Sequence, residues 1–242
     1  MSIYSSLIFI VAILVIILTI QSTNGAKNQT AKICDTKRVD ECATSLSLLS
    51  DAEVLKHRPK TLADIEKYCR NFKQSTICVR EYSEKCLADQ SRRTLSIIMY
   101  SMTKTMRRYC GRTKGKQEWL NLIDCVGDDM PNYAKHLTDL SADMHAIRTA
   151  KPKNLRIPLC CCAFQRRKEF ILNDLEHKCS NHVEWLETFL QGITGDIFNY
   201  ACGEYNEDND KCKNIIGKIK PWKKPLEWKS FIIPTVEIID SL

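Results

Sequence analysis

The chain has 242 residues, 44% of them hydrophobic, with 13 cysteines, 8 glycines and 7 prolines. That much apolar material excludes a disordered or collagen-like chain and suits one ordinary domain or two small ones. Lys and Arg number 36 against 29 Asp and Glu, a formal charge of +7, and the cysteine density is foreign to a reduced cytosolic enzyme.

Residues 7–20 are uncharged and almost purely aliphatic. The run is short for a bilayer span of roughly 20 residues and suits the apolar region of a signal peptide. Thr23 and Gly25 supply small residues for cleavage after Gly25, so 1–25 is expected to be a signal peptide. No Lys or Arg precedes the run, which leaves an uncleaved amino-terminal anchor as the rival reading. No later segment is apolar enough to span a bilayer. Asn28-Gln29-Thr30 is an N-glycosylation acceptor, so Asn28 is the expected sugar site. The expected localisation is secreted and extracellular.

Beyond Pro59 the apolar spacing is helical. Leu62, Ile65, Cys69, Phe72, Ile77/Cys78, Tyr82 and Cys86 form one stripe, preceded by Thr61 with Asp64 three residues on, a relative of the capping box. Asp89 or Ser91 is placed to cap the next helix, whose stripe is Leu95, Ile98/Met99, Met102, Met106 and Tyr109/Cys110, with Gly111 ending it. A shorter helix follows over 116–126 with Trp119, Leu120, Ile123 and Cys125. Pro131 opens another, carrying Tyr133, Leu137, Leu140, Met144 and Ile147.

The stretch 149–158 is mostly polar, contains Pro152 and Pro158, and is the best candidate for an internal boundary. Helices are then expected over 159–179, with Phe164, Phe170/Ile171 and Leu175 inward, and over 183–202, where Gly192 and Gly195 weaken the pattern. From 216 the chain is rich in Lys and Pro and reads as a basic tail, 216–242, lying on the surface. The expectation is an all-α, disulfide-stapled bundle of about seven helices, with the cysteine-rich domain spanning 26–215.

The cysteines are Cys34, Cys42, Cys69, Cys78, Cys86, Cys110, Cys125, Cys160, Cys161, Cys162, Cys179, Cys202 and Cys212. Their number is odd, so at most six bridges form within the chain and at least one cysteine stays out; the pairing itself is not readable. Cys78 and Cys86 on one helix share a rough face about 12 Å apart, too far to bond each other, so each is expected to staple another segment. The triplet Cys160-Cys161-Cys162 is expected to reach separate partners and gather helices around one point. A reactive thiol or a metal site is the alternative there, but metal wants Cys-x2-4-Cys repeats or closing histidines, which are missing.

No catalytic constellation emerges. Cys161-Cys162-Ala163-Phe164-Gln165 invites comparison with calcium-dependent secreted phospholipases, but Gln165 stands where the catalytic histidine belongs and is no general base. His57, His136, His145, His177 and His182 lack zincin spacing, and no Gly-x-Ser-x-Gly, P-loop or dinucleotide fingerprint occurs. Catalytic residues, metal ligands and cofactors are therefore all expected to be none.

Charge is the more informative signal. Arg92, Arg93, Lys104, Arg107, Arg108, Arg112, Lys114 and Lys116 occur with no acid from 92 to 116, and Lys211, Lys213, Lys218, Lys220, Lys223, Lys224 and Lys229 form a second group. The first is the candidate anion-binding set, suited to sulfated glycans or anionic headgroups, against the alternative of a merely solvated basic face. Met99, Met102 and Met106 in that segment are best explained as core.

The stretch Tyr68-Cys69, Phe72, Cys78, Tyr82, Cys86, then Tyr109-Cys110 before Trp119 and Cys125, resembles secreted cysteine-rich helical proteins of arthropods. Cys161-Cys162-Ala163-Phe164 and Cys179 extend the resemblance, which covers roughly 34–212. Some of those proteins carry a chondroitin-proteoglycan label, which is not transferred, because the mature chain lacks Ser-Gly pairs. The resemblance implies secretion, an all-helical disulfide scaffold and no established enzymatic activity. Cys160 departs from that rhythm and is expected to alter one bridge or to be the unpaired thiol.

Together these point to a secreted, non-catalytic interaction protein, a monomer or weak dimer, whose partner is an extracellular protein, a glycan or a small apolar ligand, and not nucleic acid. Two rivals stand: a carrier of a small apolar ligand or lipid, with a cavity lined by Met99, Met102, Phe189 or Phe198, and a basic membrane-active toxin or defence protein.

Overall fold

The computed structural model describes residues 31–46, 58–205 and 210–242, with the side chains of 196–200 left aside. The signal segment 1–25, Asn28, His57 and the Phe198 side chain lie outside the described residues. Within them the chain is helical, without strands. We number the helices α1 (Thr36–Thr44), α2 (Leu62–Cys86), α3 (Asp89–Cys110), α4 (Thr113–Val126), α5 (Met130–Arg148), α6 (Arg156–Cys179), α7 (Val183–Cys202), α8 (Lys211–Ile215) and α9 (Ile232–Asp240).

Local sequence marks the starts of α2 and α5. Thr61 and Asp64 close a full capping box on α2: the Asp64 backbone N–H donates to Thr61 Oγ1 at 3.2 Å, and the Thr61 N–H donates to the Asp64 carboxylate at 2.9 Å. Pro131 sits in the first turn of α5, where a missing N–H costs nothing. The start of α3 differs from expectation. Its N-cap is Ala88, without a side-chain bond, and Ser91 is fully buried, its hydroxyl donating to Asp240 of α9.

α3 lies at the centre, packed on α7, α2, α4 and α9. Leu95, Met99, Met102, Met106 and Tyr109 line its inward face and are all buried, so the methionines are core. Beside Tyr109 stand Trp119 from α4 and Trp185 and Phe189 from α7, with ring centroids 4.7–5.6 Å apart and mostly edge-to-face. That geometry suits the ring quadrupoles as well as burying area. α7 approaches α3 through Gly192 and Gly195. A Cβ at Gly195 would lie 2.1 Å from Ser101 Oγ, and Gly195, at φ +55°, interrupts the helix there.

Six disulfides connect these layers. Cys34–Cys86 and Cys42–Cys78 tie α1 and its lead-in to α2, and Cys69–Cys110 joins α2 to the end of α3. Cys125–Cys179 links the ends of α4 and α6, while Cys161–Cys202 and Cys162–Cys212 fasten α6 to α7 and α8. Cys78 and Cys86 do reach different partners, and the triplet does gather helices around α6. Cys160 is the free cysteine.

Two expectations about organisation need correction. The stretch 149–158 is no domain boundary: it turns between α5 and α6, which pack antiparallel and share one cluster of Leu140, Met144, Ile147, Leu159, Cys162 and Ala163. Arg167 clamps the pair, reaching Asp139 at 3.1 Å and Asp143 at 3.0 Å.

Nor is 216–242 a surface tail. Its Lys-rich start is exposed, but Trp228, Ser230, Ile232, Ile233, Val236, Ile238 and Ile239 are buried. The misleading residue is Pro234, which occupies the first turn of α9, where proline is tolerated. The approach to α9 is held by two helices, α1 and α5. Asp40 of α1 accepts from the Lys229 and Ser230 N–H groups at 2.8 and 2.9 Å. The Ser141 hydroxyl of α5 faces the Trp228 and Ser230 carbonyls at 3.2 and 3.1 Å. The Trp228 N–H donates to His145 Nε2 at 3.3 Å, so His145 carries its hydrogen on Nδ1 and donates it to the Ser141 carbonyl at 2.7 Å. At the far end Arg156 of α6 reaches the Ser241 hydroxyl at 2.5 Å.

Candidate functional site

The eight basic residues singled out from the sequence separate into two kinds. Arg92 is matched by Asp89 one turn earlier at 2.7 Å, and Lys116 by Glu66 of α2 at 3.4 Å. Arg93, Lys104, Arg107, Arg108, Arg112 and Lys114 are exposed, and none has an acidic partner within ion-pair distance among the described residues. Arg93, Lys104, Arg107 and Arg108 project from the outer face of α3, while Arg112 and Lys114 lie at the corner into α4. Arg108 leans over the ring of Tyr109 at 5.8 Å.

The outer face of α3 holds two further residues that sequence reading passed over. Ile97 is 45% exposed and Tyr100 63%, and they lie on the same stripe as Arg93 and Lys104. Their signal was present: 93, 97, 100, 104, 107 and 108 recur at helical intervals out of phase with the inward methionines. The inward stripe drew the reading because apolar periodicity there is denser. The neighbouring α2 adds Arg80, which reaches Thr103 Oγ1 at 3.4 Å and pairs with no acid among the described residues.

The second basic group is less concentrated. Lys211 and Lys213 pair with Glu204 and Asp210, the Lys229 backbone is bound by Asp40, and Lys224 lies over the Trp222 ring at 5.9 Å.

Two of the described histidines are engaged structurally. His136 meets Asp174 at 3.0 Å across α5 and α6, and His145 is fully buried in the bonds already described. His182 closes a 3-10 turn between α6 and α7, and His177 stands in the last turn of α6. Cys160 packs against the α5–α6 cluster; the residue keeps some exposure, but the protein around its thiol desolvates it and pushes its pKa up to about 12. That is the opposite of an activated nucleophile. Among the described residues no three His, Cys, Asp or Glu side chains converge as a metal site.

A cavity of about 20 Å³ lies beside Met102, between Leu46, Leu137 and Phe231. It has room for a water molecule, not for a lipid chain. Among the described residues no helix is long and apolar enough to cross a membrane. No family model matches this chain, nor does any curated protein or any solved structure.

Proposed function

We propose that this chain is a secreted, non-catalytic extracellular interaction protein, working as a monomer or weak dimer after removal of residues 1–25. The observation that carries the reading is the outer face of α3, where exposed cations stand without acidic partners on a helix fixed from behind by the core. A row of cations without acidic neighbours sums into a positive potential that attracts an external anion. The six disulfides support the compartment, because dense bridging persists in oxidising surroundings.

The rival reading, a carrier, asks for an internal cavity lined by Met99, Met102, Phe189 or Phe198; the cavity beside Met102 is by itself too small for such cargo. Native and denaturing mass spectrometry of the protein secreted by its own cells separates the two readings. An intact mass for 26–242, reduced by about two mass units per bridge and raised by any glycan on Asn28, with no companion small molecule, is the expected result. A non-covalent companion released on denaturation would overturn the interaction reading in favour of a carrier, and retention of residues 1–25 would overturn the cleaved-signal assignment.

A further inference from the structure

We propose that the outer face of α3 is a track for a linear sulfated polysaccharide. The proposal rests on the interaction reading above and names the chemistry of the partner. Arg93, Ile97, Tyr100, Lys104, Arg107 and Arg108 fall within one arc of the helix, and at 1.5 Å per residue the row from Arg93 to Arg108 is about 22 Å long. The opposite arc, with Met99, Met102 and Met106, is held in the core, which anchors the backbone that carries the row.

Three features select this ligand. The first is length: a single phosphate meets the cluster at Lys104, Arg107 and Arg108 but leaves Arg93 unmatched, whereas a chain of repeating anions meets the whole row. The second is Tyr100, whose exposed ring stands between Arg93 and Lys104. A pyranose ring can lay its C–H face on that flat apolar surface while its sulfates reach the cations on either side. The third is how little apolar surface the face offers. A helix that lies on a bilayer turns its main apolar stripe down into it, and here that stripe is buried against α7, α2 and α4, leaving Ile97 and Tyr100 exposed among the cations.

Arg107 and Arg108 have a second use, since cations in the last turn complement the helix dipole. Arg93, Lys104 and Tyr100 have none that the fold requires, and they are the residues that discriminate. They are exposed, so substitution there leaves folding intact.

The test is calorimetric titration of the full secreted protein with a size-defined heparin octasaccharide, at low and at high salt. Binding at low salt that weakens steeply at high salt is expected. The double change Arg93→Glu with Lys104→Glu is expected to lower affinity at least about tenfold, from the loss and reversal of two charge contacts. Tyr100→Ala is expected to lower it severalfold without altering the salt dependence. Lys223→Glu with Lys224→Glu, an equal change of net charge elsewhere, is expected to leave it unchanged. Equal losses in the two charge-reversed proteins would reduce the effect to net charge and overturn the track. So would undiminished binding after Arg93→Glu with Lys104→Glu, or capture of phosphatidylserine vesicles through these residues without octasaccharide binding. Failure here with a companion-free native mass removes the sulfated ligand and keeps the interaction reading; a bound small molecule removes that reading whatever the titration gives.

Discussion

Asp40 and Ser230 are 190 residues apart in sequence and meet at 2.9 Å, the Ser230 N–H donating to the Asp40 carboxylate, whose other oxygen takes the Lys229 N–H at 2.8 Å. This bidentate contact fastens the approach to α9 onto α1, and α1 is itself stapled to α2 by Cys42–Cys78. First and last parts of the described chain thus close on each other. Asp40→Ala leaves two N–H groups without their acceptor and is expected to cost about 3 kcal/mol. Asp40→Asn keeps one acceptor and is expected to cost less. Urea unfolding midpoints of the two variants check the order.

Gly195 and Ser101 make a second testable contact. Any Cβ at 195 collides with the Ser101 hydroxyl and must also adopt a backbone with φ +55°, where side chains are strained. Gly195→Ala is expected to destabilise by about 2 kcal/mol or more. Adding Ser101→Gly removes the collision and leaves the backbone strain, so the double variant is expected to recover part of the loss. A thermal-denaturation cycle of the four proteins reads the coupling.

Cys160 is expected to be nearly inert while the protein is folded. With its pKa pushed from 9.0 to about 12, the thiolate fraction at pH 8 falls by a factor of about a thousand. Iodoacetamide added to the native protein is expected to label it very slowly, and one equivalent to react promptly in denaturant without reductant. Fast labelling of the native protein would contradict the burial of the thiol.

The capping box gives α2 a pH signature. Donation from the Lys60 N–H, with the Thr61 hydroxyl and N–H, holds the Asp64 carboxyl below its ordinary value of 3.8. A carboxyl whose folded pKa is depressed contributes stability above the unfolded value and loses it as pH falls through the folded one. Asp64→Asn is therefore expected to be less stable than the parent at neutral pH. The difference is expected to shrink as pH drops below 3.8, followed by circular dichroism across an acid series.

Much of this architecture is legible where local chemistry decides it. Thr61 with Asp64 marks the start of α2, and the turn-by-turn spacing of Leu95, Met99, Met102 and Met106 marks the buried side of α3. The spacing of Cys78 and Cys86 excludes a bond between them for reasons of helix rise alone. What sequence does not carry is which helix faces which. Cys42 finds Cys78, and Cys161 finds Cys202, because packing delivers those side chains to each other.

The same blindness affects residues whose usual role is local. Ser91 has the composition of a cap, yet tertiary packing buries its hydroxyl against Asp240. Pro158 and Pro234 read as breakers, yet each lies in a first helical turn, where the N–H has no acceptor within the helix. The candidate site follows this pattern. Its cations were legible as a run, but Arg92 and Lys116 are neutralised by partners, while Ile97 and Tyr100 join the face through helix phase.

The account stands on a disulfide-stapled extracellular scaffold, and the most direct measurement is non-reducing peptide mapping of the protein secreted by its own cells, alkylated in denaturant. The account predicts cross-linked peptides for Cys34–Cys86, Cys42–Cys78, Cys69–Cys110, Cys125–Cys179, Cys161–Cys202 and Cys162–Cys212, with Cys160 alone alkylated. Cys160 bridged to Cys202 or Cys212, or several of these cysteines recovered as thiols, would contradict it.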